Sequence, residues 1–351
     1  MAEVLIVEAI LFGILVFCGI LGNILVIYTV VLCSLESLSR HMPPSDMILL
    51  NLALANLLTS LFRTVPIFIW DLGLELYLET DWCRVFMLLW VWWRSVGTWT
   101  TLTLSIFHYT MLTRKHVAVG PLAHQRDRRR TILMLGFVWG ANLAFSLPAA
   151  IYSVHIHGNS TSELMVISCT TRPLLGCTWD FPTKEQGEAF ASTSLILNEV
   201  LPLLLMVSTN LATLQALAKH IRMVTVGVES GAVRVHMERK AGQVILMLVA
   251  LFVVCWVLQV TAVTYYNYNG GKHTEGLLTI SQFSSSVFGG FSPMVVAFGH
   301  GKLRKRIMVM VQELGIWVGC RTTNSEAKKK KELESTTISY KQEAQTKNVM
   351  M

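Results

Sequence analysis

Charged residues are scarce in this sequence. Only 15% of its 351 residues are Asp, Glu, Lys or Arg, and 53% are apolar, whereas about a quarter of the residues of a soluble domain are charged. The mean hydropathy of +0.52 agrees with this balance. An ordinary soluble globular protein is therefore excluded, although the length alone would allow two soluble domains.

Catalytic motifs are also missing. The chain has no phosphate-binding loop, no His-Glu-x-x-His pair, no Gly-x-Ser-x-Gly turn and no Cys-x-x-Cys pair. His155 and His157 lie two residues apart, but no third ligand accompanies them, so we interpret them as a solvated pair. No internal repeat is visible, which counts against transporters built from duplicated halves. We expect no enzyme, no metal site and no cofactor.

The chain instead contains seven long apolar runs. Crossing a bilayer takes about 20 helical residues, because only a helix or a closed barrel satisfies every backbone polar group in lipid. The runs cover residues 4–32, 47–70, 83–112, 131–154, 190–218, 241–266 and 275–298. The first run is too long for a cleaved signal peptide and has no basic start. We predict an all-α membrane protein, a seven-transmembrane helix bundle over residues 1–300.

Positive charge gathers in alternate loops. The basic loops follow the third, fifth and seventh runs, with Arg114, Lys115, Arg126, Arg128, Arg129 and Arg130, then Lys219, Arg222, Arg234, Arg239 and Lys240, then Lys302, Arg304, Lys305 and Arg306. The positive-inside rule therefore predicts a multi-pass plasma-membrane protein with an extracellular N-terminus and a cytoplasmic C-terminus. The net charge of +7 reports topology and contact with anionic membrane lipid rather than nucleic acid.

Two short segments follow the last run. We predict a juxtamembrane amphipathic helix over residues 301–318 and a disordered cytoplasmic tail over 319–351, which is rich in Lys, Glu, Thr and Ser. Cys320 lies between them and is either palmitoylated or a plain cytosolic thiol.

Three cysteines fall on the predicted outer side, where disulfides persist. They are Cys83, at the start of the third run, and Cys169 and Cys177 in one loop, so one pair and one leftover are expected. We predict a Cys83–Cys177 disulfide, because Cys177 is nearer to the fifth run, with Cys83–Cys169 as the alternative. Asn159 in the same loop opens a glycosylation sequon, Asn159-Ser160-Thr161.

Three ionisable side chains, Arg63, Arg94 and Glu199, lie at membrane depth. A charge at the centre of a span costs at least about 2.5–3.5 kcal/mol on insertion scales, so it normally faces the bundle interior, a partner or water. Arg94 and Glu199 either pair only to hold the bundle together, or one of them also takes the opposite charge of a ligand in an outward-facing pocket. Arg63 lies nearer the outer surface and can snorkel to it.

Two further residues are ligand-binding candidates. Asn198 adjoins Glu199, and Tyr265 lies near the outer end of the sixth run. Tyr265 fits an interfacial aromatic belt as well as the rim of a pocket. Four tryptophans crowd the third run, and because they cannot all face inward at a period of 3.6 residues, packing is the default interpretation. They are Trp90, Trp92, Trp93 and Trp99.

Several motifs resemble those of rhodopsin-like receptors. They are Gly22-Asn23-Ile24-Leu25-Val26, Asn51-Leu52-Ala53-Leu54-Ala55-Asn56, Trp139 with Pro148, Pro202, and Phe252-Val253-Val254-Cys255-Trp256. The departures are Asn56 in place of Asp, Leu258 in place of a proline, Ser292-Pro293 in place of Asn-Pro, and Phe107-His108-Tyr109 near the place of an Asp-Arg-Tyr triplet.

Those departures resemble the vomeronasal type 1 receptors and their fish counterparts, the olfactory receptors related to class A. The residues that carry this resemblance are Arg40 to Leu49 (RHMPPSDMIL), Leu104 to His108 (LSIFH) and Phe291 to Met294 (FSPM). The intramembrane Arg94 and Glu199 also match that pattern. The likeness runs from about Gly22 to Arg306.

The resemblance implies a receptor that binds a small waterborne odorant or pheromone and activates a heterotrimeric G protein. For the surface that faces the G protein we nominate His108, Tyr109, Arg114 and Lys240. Two alternatives remain open at this point: a rhodopsin-like receptor for a peptide or a metabolite, and a transporter whose pathway the intramembrane charges would line.

Overall fold

The computed structural model describes residues 2–36, 42–74, 77–113, 121–155, 174–225, 250–262, 264–265, 283–284 and 286–292, together with residues 247, 280, 295, 308–309 and 312. The chain divides into two units, Met1–His300 and Gly301–Met351. In the second unit the described residues Met308, Val309 and Gln312 are helical. The remainder of the predicted amphipathic helix and the whole predicted tail, with Cys320, lie outside the described residues.

Helices account for nearly all of the first unit that is described. The first span is α1, Ala2–Leu35. The second is α2, Pro44–Thr59, a π-helical turn, Ser60–Thr64, and α3, Val65–Asp71. The third is α4, Thr80–Thr113, and the fourth is α5, Pro121–Ile151. The fifth is α6, Lys184–Leu195, a second π-helical turn, Ile196–Val200, and α7, Leu201–Thr225.

The sixth and seventh spans are described in part. The sixth is helical over α8, Ala250–Ala262, and the seventh over residues 283–284 and 286–292. The fold class, a seven-helix bundle, is as predicted. Several helices begin or end outside the apolar runs, because helix ends that leave the hydrocarbon layer can be polar: the fourth begins at Pro121 rather than at 131. Its predicted outer end at 154 was wrong, since the helix ends at Ile151 and Ser153–His155 form a strand.

Four helices in the described part of the chain are long and apolar enough to cross a membrane, namely Ala9–Leu35, Pro44–Ile69, Gln125–Ile151 and Lys184–Lys219. The helix α4 is not one of them, since it carries Arg94 and several Thr and Ser residues. It lies inside the bundle, in contact with α2, α5 and α7. A helix surrounded by other helices needs less apolar surface than one that faces lipid.

Amide and indole side chains connect the spans. Asn56 donates to Ser292 Oγ at 2.9 Å and joins the second span to the seventh. Asn23 donates to the carbonyl of Gly289 at 3.2 Å. Trp139 Nε1 donates to Asn51 Oδ1 at 3.0 Å and joins the fourth span to the second. Burying a polar group costs free energy unless it is hydrogen-bonded, so these contacts help to hold the spans together.

A two-stranded hairpin covers one end of the third span. Strand β1, Ser153–His155, pairs antiparallel with β2, Cys177–Trp179. The disulfide Cys83–Cys177, the predicted pair, fastens β2 to α4. A tight turn directly precedes β2, and in it Leu175 and Gly176 have positive φ values of 56° and 74°. The predicted glycosylation site Asn159 and the leftover Cys169 lie outside the described residues.

Candidate functional site

The two charges predicted to meet at membrane depth form an ion pair. Arg94 Nη2 lies 2.5 Å from Glu199 Oε1, and the two side chains are only 6% and 2% exposed. Arg94 comes from the middle of α4, and Glu199 comes from the π-helical turn of the fifth span. Because two buried charges repay their desolvation only when their geometry and hydrogen bonding are good, the pair must be held tightly.

The sixth span completes this cluster. Gln259 Nε2 donates to the second carboxylate oxygen, Glu199 Oε2, at 3.2 Å. The guanidinium carbon of Arg94 lies 6.0 Å from the centre of the Trp256 ring, within the range of a cation–π contact. The third, fifth and sixth spans therefore meet at one charged point. We refer to Arg94, Glu199 and Gln259 as the charge cluster.

Aromatic rings continue from the charge cluster to the seventh span. Trp256 stacks on Phe252 with ring centroids 4.1 Å apart. Phe288 of the seventh span meets Trp256 edge-on at 5.5 Å and Phe252 edge-on at 5.0 Å. A movement of the sixth span at the charge cluster would therefore change its ring contacts with the seventh span.

Proline explains the position of Glu199. Pro202 lacks an N–H and its ring would clash with the carbonyl of Asn198, so the helix widens by one residue just before it. The N–H of Leu201 bonds the carbonyl of Ile196, five residues back. Such π-helical turns are rare in proteins, and those that occur often lie at functional sites. The wider turn decides which way Glu199 points.

Arg63 lies on an equivalent turn. Pro66 follows Arg63 by three residues, as Pro202 follows Glu199, and the N–H of Val65 bonds the carbonyl of Ser60. Arg63 is 1% exposed, so the expectation that it could snorkel to the outer surface was wrong: its turn points it into the bundle.

The two weaker candidates differ in burial. Asn198 is 5% exposed, and its Nδ2 lies 3.4 Å from Ser194 Oγ. It therefore lies on the inner side of the fifth span beside Glu199. Tyr265 is 52% exposed, which favours the interfacial belt over a buried wall.

Sequence reasoning missed Gln259 and Trp256 as members of the site. Gln259 is 1% exposed, and an amide in the middle of an apolar run was a signal of the same kind as Arg94. For tryptophan the packing interpretation holds at Trp92, whose Nε1 donates to the carbonyl of Trp139 at 2.9 Å.

The nominated G-protein-facing residues are described in part. His108 and Tyr109 near the end of α4 are half-buried, and the His108 ring meets Phe107 edge-on at 5.7 Å. Arg114 and Lys240 lie outside the described residues. In the described part of the chain, no group of three or more His, Cys, Asp or Glu residues is placed to hold a metal ion.

Comparison with known proteins gives a consistent set of relatives. The profile of the 7 transmembrane receptor (rhodopsin family) matches residues 22–295. A Danio rerio protein, olfactory receptor class A-like protein 4, is 66% identical over 315 residues, which cover 89% of this chain and 92% of that protein. Rattus norvegicus melanopsin is 26% identical over 86% of this chain and 60% of its own length. The Octopus vulgaris gonadotropin-releasing hormone receptor is 23% identical over 68% of this chain and 59% of its own length.

Proposed function

Since the chain belongs to the rhodopsin family of seven-transmembrane receptors, we propose that it is a chemosensory receptor for a small waterborne anion, detected at the charge cluster. As a family member it is a multi-pass G protein-coupled receptor of the plasma membrane and not an enzyme. The transporter alternative is thereby set aside. The name of the Danio rerio relative and the vomeronasal-type motifs support the chemosensory role.

The buried Arg94–Glu199 pair is the observation that carries the proposal. A guanidinium offers five N–H donors in a rigid fork that fits a carboxylate. Glu199 is the carboxylate that occupies Arg94 in this structure, at 2.5 Å. A ligand carboxylate is the chemical equivalent of that side chain, so it can share or replace this contact.

Activation follows from the same contact. Glu199 ties the third span to the fifth, and it accepts from Gln259 of the sixth. A ligand that takes part of Arg94's hydrogen bonding weakens this tie. Binding would then favour an arrangement in which the inner ends of the fifth and sixth spans move apart, which is a shift of population between two states.

The inner side of the bundle is the proposed transducer surface. With the N-terminus extracellular, the ends of the third, fifth and sixth spans that carry His108, Tyr109, Arg114 and Lys240 face the cytosol. The basic loops there also meet anionic lipid headgroups. The Asp-Arg-Tyr triplet is missing, so restraint of the resting state falls to contacts such as Asn56 with Ser292.

Paired probes test the proposal. Cells that express the receptor and a G protein reporter are exposed to small carboxylic acids and to the primary amides of the same carbon skeletons. We expect acids to activate the receptor and the matching amides to be at least tenfold weaker, because the amide lacks the charge that Arg94 binds. Equal potency of acids and amides, or a response to amines instead, would contradict an anion site.

A further inference from the structure

Two neighbouring tryptophans near the disulfide have buried indole N–H groups that lack hydrogen-bond acceptors in the described part of the chain. Trp90 of α4 is 1% exposed, and its ring centre lies 6.4 Å from that of Trp179 in β2. The Nε1 atoms of both are buried, and neither has a hydrogen-bond partner within the described residues. Trp92 and Trp139 nearby do have acceptors, at 2.9 and 3.0 Å. An unsatisfied buried donor is unusual in a native structure and calls for an explanation.

The fold places Trp90 one helical turn from Arg94 and brings Trp179 beside Trp90. Cys83, Trp90 and Arg94 follow one another at intervals of seven and four residues, so they share one face of α4. Trp90 and Arg94 are one helical turn apart, about 6 Å along the axis. Cys177 and Trp179 alternate with Thr178 along β2 and so point to one face of the hairpin. The disulfide Cys83–Cys177 therefore carries Trp179 to the face of α4 that bears Trp90.

The surroundings of the two indoles are apolar and aromatic. Phe190 of the fifth span meets Trp179 edge-on at 6.3 Å. Phe145 of the fourth span stacks on Phe190 at 5.9 Å. An indole N–H can only donate, so whatever satisfies it must be an acceptor such as a carbonyl or ether oxygen. An ammonium group or an alkyl group would not satisfy it.

We infer that Trp90 and Trp179 bind a neutral acceptor oxygen on the same small ligand whose negative group contacts Arg94. This inference rests on the proposed function and narrows it. The ligand class is a carboxylic acid with a carbonyl or ether oxygen about one helical turn, or roughly 6 Å, from the carboxylate. The contact of the carboxylate with Arg94 is required for any acid to bind, and the two indoles determine which acids bind more tightly.

The first experiment needs no ligand. In separate purified receptors, Trp90, Trp179 or Trp92 is replaced by the benzothiophene analogue of tryptophan, which keeps the ring shape and has no N–H. Thermal melting should fall for the analogue at Trp92, since its carbonyl acceptor loses its donor. It should be unchanged or higher for the analogue at Trp90 or Trp179. A fall at Trp90 and Trp179 as large as that at Trp92 would show that the protein itself supplies their acceptors, and would overturn the inference.

The second experiment compares two matched acids, hexanoate and 5-oxohexanoate, whose ketone lies about one helical turn from the carboxylate. Binding to the purified receptor is measured by ligand-observed NMR. We expect 5-oxohexanoate to bind about tenfold more tightly than hexanoate, the contribution of one to two hydrogen bonds. With the analogue at both Trp90 and Trp179, the ratio should fall to about one while the affinity for hexanoate is kept.

The outcomes separate the two proposals. A ratio near one on the unmodified receptor, or a ratio that survives the two replacements, overturns the role of the indoles and leaves the anion site intact. If a receptor that carries Arg94→Leu and Glu199→Leu binds both acids as tightly as the unmodified receptor does, the anion site itself is contradicted. Failure of both acids to bind the unmodified receptor at millimolar concentration contradicts the inferred ligand class.

Discussion

The second and fifth spans contain the same local device and use it differently. Each has a π-helical turn just before a proline, with an ionisable residue three positions before that proline: Arg63 on Ser60–Thr64 and Glu199 on Ile196–Val200. The turn at Glu199 brings a charge to the charge cluster. The turn at Arg63 also brings a small residue, Ser60, against the first span.

Close packing is visible at Ser60. A Cβ built on Gly19 of the first span would lie 2.8 Å from Ser60 Oγ and 3.7 Å from the Cα of Gly290. Three spans thus approach one another around two glycines and a serine, which is how small residues serve membrane helix packing. A π-helical turn thus sets only the direction of the side chains on it. The chemistry of the residues on it decides its use. At Ser60 it packs against Gly19 and Gly290, a contact that we call the packing joint. At Glu199 it places a charge in the proposed ligand site.

Loss of one partner from the charge cluster should destabilise the receptor more than any other change considered below. Arg94→Leu leaves Glu199 buried without its counter-charge, and removing one member of a buried pair costs about 3–5 kcal/mol. We expect surface expression of an epitope-tagged receptor, measured by flow cytometry, to fall severely. Arg84→Leu is the matched control in the same helix, since Arg84 pairs with Asp81 at 3.4 Å but is half exposed, and such pairs contribute little. Similar losses for both variants would contradict a special role for the cluster.

How far the sequence predicts this site can be seen in its members. The high cost of a charge in lipid predicted that Arg94 and Glu199 would be functional or paired, and their depths matched. The burial of Arg63 was not predicted in this way, because the π-helical turn that holds Arg63 changes the direction of its side chain, and a proline alone does not reveal such a turn. Gln259 was missed since an amide can face any neighbour, and only the packed bundle selects Glu199 for it. The seven spans, in contrast, follow directly from apolar length.

A smaller effect is expected at the packing joint. Gly19→Val places methyl groups where Ser60 already lies, and overpacking of this kind costs about 1–3 kcal/mol. Thermal melting of the purified receptor should fall accordingly. Gly136→Val is the control, because nothing lies within 4 Å of the position that a Cβ would take at Gly136. Equal falls for the two variants would show that Gly19 has no special packing role.

Replacing the proline that follows each π-helical turn should have the smallest effects and should distinguish the two turns. Pro202→Ala restores an N–H for the carbonyl of Asn198, so the fifth span can return to the α pitch and turn Glu199 away from its partners. Potency of the best acid should drop about tenfold, equivalent to about 1.4 kcal/mol, at near-normal surface expression. Pro66→Ala should leave that potency within about threefold and slightly lower melting instead. If both variants reduced acid potency equally, the two turns would not have the separate uses proposed for them.

The response of the double variant Arg94→Leu with Glu199→Leu separates ligand binding by Arg94 from a purely structural role of the ion pair. Removing both members of a buried ion pair is often nearly neutral for stability, so the double variant should recover the surface expression that Arg94→Leu loses. With expression matched, its response to the best acid agonist of the unmodified receptor should be abolished, because no guanidinium remains to bind the carboxylate. A double variant that reaches the surface and responds to that acid with unchanged sensitivity would show that the pair only holds the bundle together, and would contradict ligand binding by Arg94.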